Sequence, residues 1–234
     1  MSRAVYAVFV AGGSGTRMGG DVPKQFLDLG GIPILQRSVE RFLDAAPDAR
    51  VIIVLPERHL DQWQELCLQH AVSFPQTIVH GGMTRFHSVK NALKYVPDGA
   101  VVAVQDGVRP LISVNKVREL FMAAENAPAV IPVMPVTDTL KVLEKRSGIL
   151  SATGETVDRS RIYGAQTPQV FQSEAIKAAY TLQFDTSFTD DASVAERYGL
   201  ALTFLPGERF NLKITTPEDL ILARAIIDSS LRSE

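Results

Sequence analysis

Cysteine occurs once in the 234 residues, at Cys67. That excludes an intramolecular disulfide framework and a cysteine-based zinc site, and it agrees with a reducing compartment, the cytoplasm. Free cysteine packs as a small apolar residue, so Cys67 is expected buried on a helix. Basic excess is also missing: 24 Lys and Arg stand against 26 Asp and Glu, for a net charge of −2. Such a surface offers nothing to nucleic acid in bulk, and any anion site has to be local. Histidine is scarce (His59, His70, His80, His87), with no Ser-His-Asp pattern around it. Long apolar runs are lacking too. Residues 4–11 are too few to span a bilayer and lead straight into glycines, not into a cleavage-type site, and no other stretch offers the roughly 18 uninterrupted apolar residues of a membrane helix.

What is present is alternation. Short β-branched runs at 5–10, 51–55, 77–79, 101–104, 129–134 and 201–205 are bounded by Gly, Pro or polar turn residues and predict strands. Helical spacing fills 34–43, 60–68, 85–95, 114–124, 174–182, 190–198 and 217–231. Strand–helix alternation implies a doubly wound, mostly parallel, Rossmann-like α/β sheet with helices on both faces. The last helix has the clearest start: Thr216 is placed to cap, Pro217 suits the first turn, and Glu218 and Asp219 complement the dipole. Residues 137–166 instead alternate polar and apolar positions around Arg146-Ser147-Gly148, which predicts a protruding β-hairpin arm. An isolated hairpin is marginal in water, so the arm is expected to pack on a second copy of the chain. With no repeat or linker, residues 1–234 are expected to form a single domain carrying that arm.

The first strand ends in Ala11-Gly12-Gly13-Ser14-Gly15-Thr16-Arg17-Met18-Gly19, followed by Pro23-Lys24-Gln25. A glycine turn at the carboxyl edge of an open α/β sheet lets backbone N–H groups approach phosphate oxygens without Cβ obstruction. The dinucleotide fingerprint fails, because Met18 stands where its third glycine belongs; a P-loop fails, because Lys24 comes too late and is followed by Gln25. What remains is a glycine loop with two separated cations, Arg17 and Lys24, suited to a triphosphate countered from more than one side.

That segment resembles the signature of sugar and polyol nucleotidyltransferases, which form a nucleoside diphosphate product and release pyrophosphate. Downstream stand Gly81-Gly82 with Arg85 and Ser88, then Asp106-Gly107-Val108-Arg109-Pro110, Thr156-Val157-Asp158-Arg159 and Gln166-Thr167-Pro168-Gln169. Together, over essentially the whole chain, they resemble the methylerythritol-phosphate cytidylyltransferases. The resemblance implies that Ala11, Gly12, Gly13, Gly15, Arg17 and Lys24 hold the CTP triphosphate, with Gly82, Ser88 and Gly107 at the base. It implies that Asp106, Arg109, Thr139, Arg159, Thr167, Thr189 and Lys213 serve the polyol phosphate, several of them donated by the arm of a partner in a homodimer. Plainer roles stay open: Asp106 as a strand-end turn residue, Thr189 as the cap of the 190–198 helix, Arg159 and Arg161 as solvated hairpin charges, Lys213 as a surface lysine. Family members commonly carry His-Asp-Ala where this chain has Gln105-Asp106-Gly107, so the histidine side chain is dispensable and the glycine is expected to loosen the loop.

The implied chemistry explains the missing histidines. A phosphate monoester has its second pKa near ~6, so the acceptor brings its own anionic nucleophile and the protein has to offset repulsion and hold geometry. Arg17, Lys24 and Lys213 are the expected catalytic cations. Mg²⁺ would be held mainly by CTP phosphate oxygens, with Asp106 the one candidate carboxylate for a metal contact. Ribitol 5-phosphate is the competing acceptor, and a non-catalytic nucleotide-binding domain the competing class.

Overall fold

The computed structural model describes residues 3–13 and 22–231. Its strands are β1 (Val5–Val10), β2 (Arg50–Leu55), β3 (Gln76–His80), β4 (Val101–Asp106), β5 (Ala129–Pro135), β6 (Leu143–Arg146), β7 (Ile149–Ala152), β8 (Tyr163–Ala165), β9 (Gln169–Gln172) and β10 (Thr203–Pro206). Its helices are α1 (Ile34–Ala45), α2 (Leu60–Gln69), α3 (Arg85–Leu93), α4 (Val114–Ala124), α5 (Ser173–Ala179), α6 (Asp191–Tyr198) and α7 (Pro217–Leu231).

The main sheet runs β10-β5-β9-β4-β1-β2-β3, with β8 added beside β5. Strands β3, β2, β1 and β4 are mutually parallel, as are β5 and β10. Because β1 lies between β2 and β4, the chain reverses its winding at the β1/β4 boundary, and the loops leaving those two strands diverge there. The doubly wound, mostly parallel reading therefore holds, with β9 as the antiparallel exception between β4 and β5. Sequence alone misses β9: it is a four-residue run closed by glutamine at both ends, and Gln169 is buried only because other elements satisfy its amide.

Period-two alternation builds two cores. Val8, Ile52, Val54, Val102 and Val104 face α3, α5 and α6, while Ala7, Phe9, Val51, Ile53 and Ala103 face α1, α2 and α4. A third cluster seats Ile214, Ala223 and Ile227 on Leu29, Ile34 and Val108, which docks α7 beneath the end of β4. Thr216 caps α7 as expected: Asp219 N–H donates to its Oγ1 at 3.4 Å, and Asp219 Oδ2 accepts from the Thr215 and Thr216 N–H groups at 2.8 and 2.9 Å.

Local expectations need correction at several points. The cap of α6 is Asp190, in a capping box with Ser193, so Thr189 lies outside it. Cys67 is half-buried on α2, where its Sγ accepts from Gln76 Nε2 at 3.6 Å. The hairpin is present as β6 and β7, joined through Ser147 and Gly148, both at positive φ as a tight two-residue turn requires. Its far boundary is nearer than 166, because β8 already belongs to the main sheet.

Candidate active site

The ends of β1, β2, β3 and β4 are brought level by backbone bonds. Ala11 N–H donates to Val54 O at 3.0 Å, Gly81 N–H to Leu55 O at 2.9 Å, and Gly107 N–H to Val10 O at 3.0 Å. Above them opens a cleft of about 500 Å³, whose lining includes Ala11, Gly12, Gly13, Lys24, Gly82, Ser88, Asp106 and Lys213. Eight of the sequence-assigned positions thus converge on one cavity. Gly15 and Arg17 lie outside the described residues. Lys24 is carried into the cleft by a one-turn 3₁₀ helix, Lys24–Phe26, that also buries Gln25, whose Nε2 donates to Ala11 O at 2.8 Å. That bond ties the start of the glycine loop to the lysine segment.

One wall is the turn into α3. Gly82 N–H donates to Ser88 Oγ at 3.0 Å, and Ser88 in turn donates to Thr84 O at 2.9 Å, while Thr84 caps the helix by accepting from His87 N–H. A Cβ on Gly82 would overlap His87 Cβ and lie 2.9 Å from its carbonyl carbon. Glycine at this position is a packing requirement. Gly107 is likewise tight, since a Cβ there would meet Leu35 Cδ1 at 3.0 Å and Ala11 Cβ at 3.1 Å. Gln105 is fully buried, its Nε2 donating to Arg109 O at 3.1 Å, so it braces the loop in place of a histidine.

The floor is an ionised carboxylate. Asp106 Oδ2 lies 2.9 Å from Lys213 Nζ and 3.3 Å from Arg109 Nε, and Oδ1 lies 3.9 Å from Arg85 Nε. Burial pushes its pKa up, but Arg85, Lys213 and Arg109 outweigh burial and hold it at about 2. Thr167 and Arg109 do not line the cleft; they build it from behind. Thr167 Oγ1 accepts from Asp106 N–H at 3.1 Å, and Asn211, which presents Lys213 two residues on, donates Nδ2–H to Thr167 O at 2.8 Å. Arg109 Nη1 donates to Asn211 O at 2.8 Å, so one guanidinium holds both Asp106 and the Lys213 segment.

Thr139, Arg159 and Thr189 are exposed and do not line this cleft. Arg159 Nη1 donates to Thr137 O at 2.8 Å within the arm. Sequence reasoning left Arg85, Arg58, Pro56, Met83 and Thr84 without a role, and all five line the cavity. For Arg85 the signal was its place at the first turn of a helix that follows paired glycines.

The donor set suits an anionic ligand flanked by lysine and arginine side chains on two sides. Among the described lining residues Asp106 is the one carboxylate, and it is already surrounded by cations. No group of three or more His, Cys, Asp or Glu is placed to hold a metal among the described residues. A divalent ion would fit here as part of a phosphate complex, with ligand oxygens supplying most of its shell.

Residues 5–229 match the family model of 2-C-methyl-D-erythritol 4-phosphate cytidylyltransferase. The chain is similar to the proteins of that name from Bacteroides thetaiotaomicron (44% identical, covering 94% of this chain and 98% of the relative) and Porphyromonas gingivalis (44%, covering 98% and 100%). Its fold is similar to the crystal structure of 4-diphosphocytidyl-2C-methyl-D-erythritol synthase from Anaerococcus prevotii, with TM-score 0.78, 26% identity and coverage of 97% and 100%. A Thermus thermophilus structure of 2-C-methyl-D-erythritol 4-phosphate cytidylyltransferase aligns with TM-score 0.72 at 29% identity, covering 96% and 99%.

Proposed function

The chain belongs to the 2-C-methyl-D-erythritol 4-phosphate cytidylyltransferase family of isoprenoid synthesis, and we propose that its cleft performs the CTP-dependent transfer by neutralising and aligning two anions, without a protein base. The family match decides between the two acceptors weighed from sequence in favour of methylerythritol 4-phosphate. A deprotonated oxygen of the acceptor phosphate attacks the α-phosphorus of CTP; that P–O bond forms as the bond to the β-phosphate bridging oxygen breaks, and pyrophosphate leaves.

The observation that carries this reading is the setting of Asp106, ionised among Lys213, Arg109 and Arg85 in the cleft that Lys24 also lines. A carboxylate kept charged accepts from the polyol hydroxyls, which places the acceptor phosphate toward the lysines. Lys24 and Lys213 offset charge on the α-phosphate oxygens as it grows in the transition state, and Arg17 serves the triphosphate. Gly12 and Gly13 present backbone to the phosphates, and Gly82 and Ser88 frame the cytosine. When bound, Mg²⁺ neutralises the CTP phosphates and favours pyrophosphate as leaving group.

Thr139, Arg159 and Thr189 complete the acceptor site, with Thr139 and Arg159 donated by a partner's arm. Supporting the donation are the absence of Thr139 and Arg159 from the lining of their own chain's cleft and the apolar tip of the hairpin, where Ile149 and Leu150 are 70% and 65% exposed. No helix among the described residues is long and apolar enough to cross a membrane, and the lone cysteine supports a cytoplasmic setting. The test is pyrophosphate release with CTP and Mg²⁺, offering methylerythritol 4-phosphate and ribitol 5-phosphate in parallel. Release with the first alone is expected; equal rates with both would remove the assigned selectivity.

A further inference from the structure

Arg85 spends most of its guanidinium facing away from the cleft it lines. Its Nη1 and Nη2 donate to Asp191 Oδ1 and Oδ2 at 2.9 and 2.6 Å, a two-pronged pair with a carboxylate that is wholly shielded from solvent. Tyr180 donates its hydroxyl to Asp191 Oδ1 at 2.6 Å. Only Nε of Arg85 is directed toward Asp106, at 3.9 Å. Asp191 is itself immobilised. It opens α6, whose first turn is pinned to β9: Gln169 Nε2 donates to Asp190 Oδ2 at 2.6 Å and Gln169 Oε1 accepts from Ala192 N–H at 2.8 Å. The segment before α6 packs Phe184 and Phe188 against Phe86, the residue after Arg85, with ring centroids 5.7 Å apart in each case.

We propose that Asp191 is a positioning residue for the transfer reaction, acting through Arg85 to keep Asp106 available to the acceptor. A guanidinium is planar, so a two-pronged pair fixes both its plane and its reach. Held by Asp191, Arg85 contributes charge to Asp106 without hydrogen-bonding it, and Oδ1 keeps its lone pairs for a substrate hydroxyl. Released, the same guanidinium would turn to the nearest carboxylate, which is Asp106, and occupy the oxygen the acceptor needs. The charged groups around Asp106 are then Arg85 on α3, Arg109 on the loop after β4 and Lys213 before α7, with Asp191 and Tyr180 behind Arg85. The base side of the cleft, built from Gly82 and Ser88, is untouched by this exchange. The inference rests on Asp106 contacting the acceptor.

The test measures acceptor KM at saturating CTP, the Kd for CTP by equilibrium binding without acceptor, and thermal stability, in Asp191→Asn, Tyr180→Phe and Asp106→Asn. Small misplacements of a positioning group cost up to ~10²-fold, so Asp191→Asn is expected to raise acceptor KM about tenfold while CTP Kd stays within about twofold. An unchanged acceptor KM, or acceptor KM and CTP Kd rising together, would overturn the proposal, the second because it signals general damage. Should Asp191→Asn not fold, Tyr180→Phe decides: it removes one hydrogen bond and keeps the charges, so an acceptor-selective rise of about threefold is expected, and no rise overturns the idea. Asp106→Asn separates the two levels. If it leaves acceptor KM unchanged, the assignment of Asp106 fails and this proposal with it; if it raises KM while Asp191→Asn does not, only the role of Asp191 fails.

Discussion

Lys213 Nζ sits 2.9 Å from Asp106 Oδ2 across the floor of the cleft, joining a strand end to a loop 107 positions later in the chain. The contact gives Lys213 a defined position before any ligand arrives, and its side chain remains 44% exposed toward the cavity. A lysine that only balanced Asp106 would be replaceable with Arg109 and Arg85 already present. That exposure is what the proposed contact with the α-phosphate requires. Lys213→Ala is expected to lower kcat by ~10²–10³, about 3–4 kcal/mol of transition-state stabilisation, with the fold intact. Lys24→Ala should behave alike. Wild-type kcat in either variant would remove that lysine from the chemistry.

The same cluster makes acid stability readable. Asp106 has a folded pKa of about 2 against an ordinary value of 3.8. Because the folded value is the lower one, the ionised carboxylate contributes stability that is complete above pH ~4 and is lost as pH falls through about 2, a contribution of about 2 kcal/mol. Urea unfolding of the wild type and Asp106→Asn at pH 6, 4 and 2.5 should show a stability gap that narrows across the lower interval. A gap independent of pH would contradict the ionised carboxylate.

Gly82→Ala addresses the base wall. The added methyl meets His87 at Cβ and at the backbone, so the α3 turn has to move, and with it the Ser88 Oγ to Gly82 N–H bond of 3.0 Å. Expected are a rise of at least about tenfold in the Kd for CTP and a destabilisation of about 1–3 kcal/mol, the usual range for overpacking. Isothermal titration with CTP and a thermal melt would check both, and unaltered CTP affinity would show that this turn does not meet the nucleotide.

What could be recognised in the sequence was local. Gly12, Gly13, Gly82 and Asp106 each sit within three residues of a strand end, and a parallel sheet brings the carboxyl ends of its strands to one edge, so order along the chain sufficed to gather them. Thr167 and Arg109 are legible in the sequence as belonging to this region, whereas their bracing contacts are not, since only the structure shows Thr167 Oγ1 accepting from Asp106 N–H at 3.1 Å. The Arg85–Asp191 pair spans 106 positions and depends on α6 being pinned by Gln169, a residue whose strand β9 carries almost no local signal. Neither propensity nor periodicity encodes that kind of pairing.

The arm yields a prediction that separates donation across a dimer from mere dimer formation. If the partner's Arg159 completes each cleft, then Lys24→Ala disables the cleft of its own chain and Arg159→Ala disables the cleft of the other. Each homodimer is inactive. In a heterodimer of the two variants, one cleft carries both defects and the other carries neither, because its own Lys24 is intact and the arm reaching it keeps Arg159. Random exchange of subunits makes half the dimers mixed, and half their sites are whole, so about a quarter of wild-type activity should return on mixing. Activity should rise with the time constant of subunit exchange. An Ile149→Lys, Leu150→Lys hairpin, which charges the apolar tip, should abolish the recovery and sediment as a monomer of low activity. No recovery in a mixture shown to contain heterodimers would place Arg159 outside the partner's cleft, and a fully active monomer would show that the arm is not needed to complete the site.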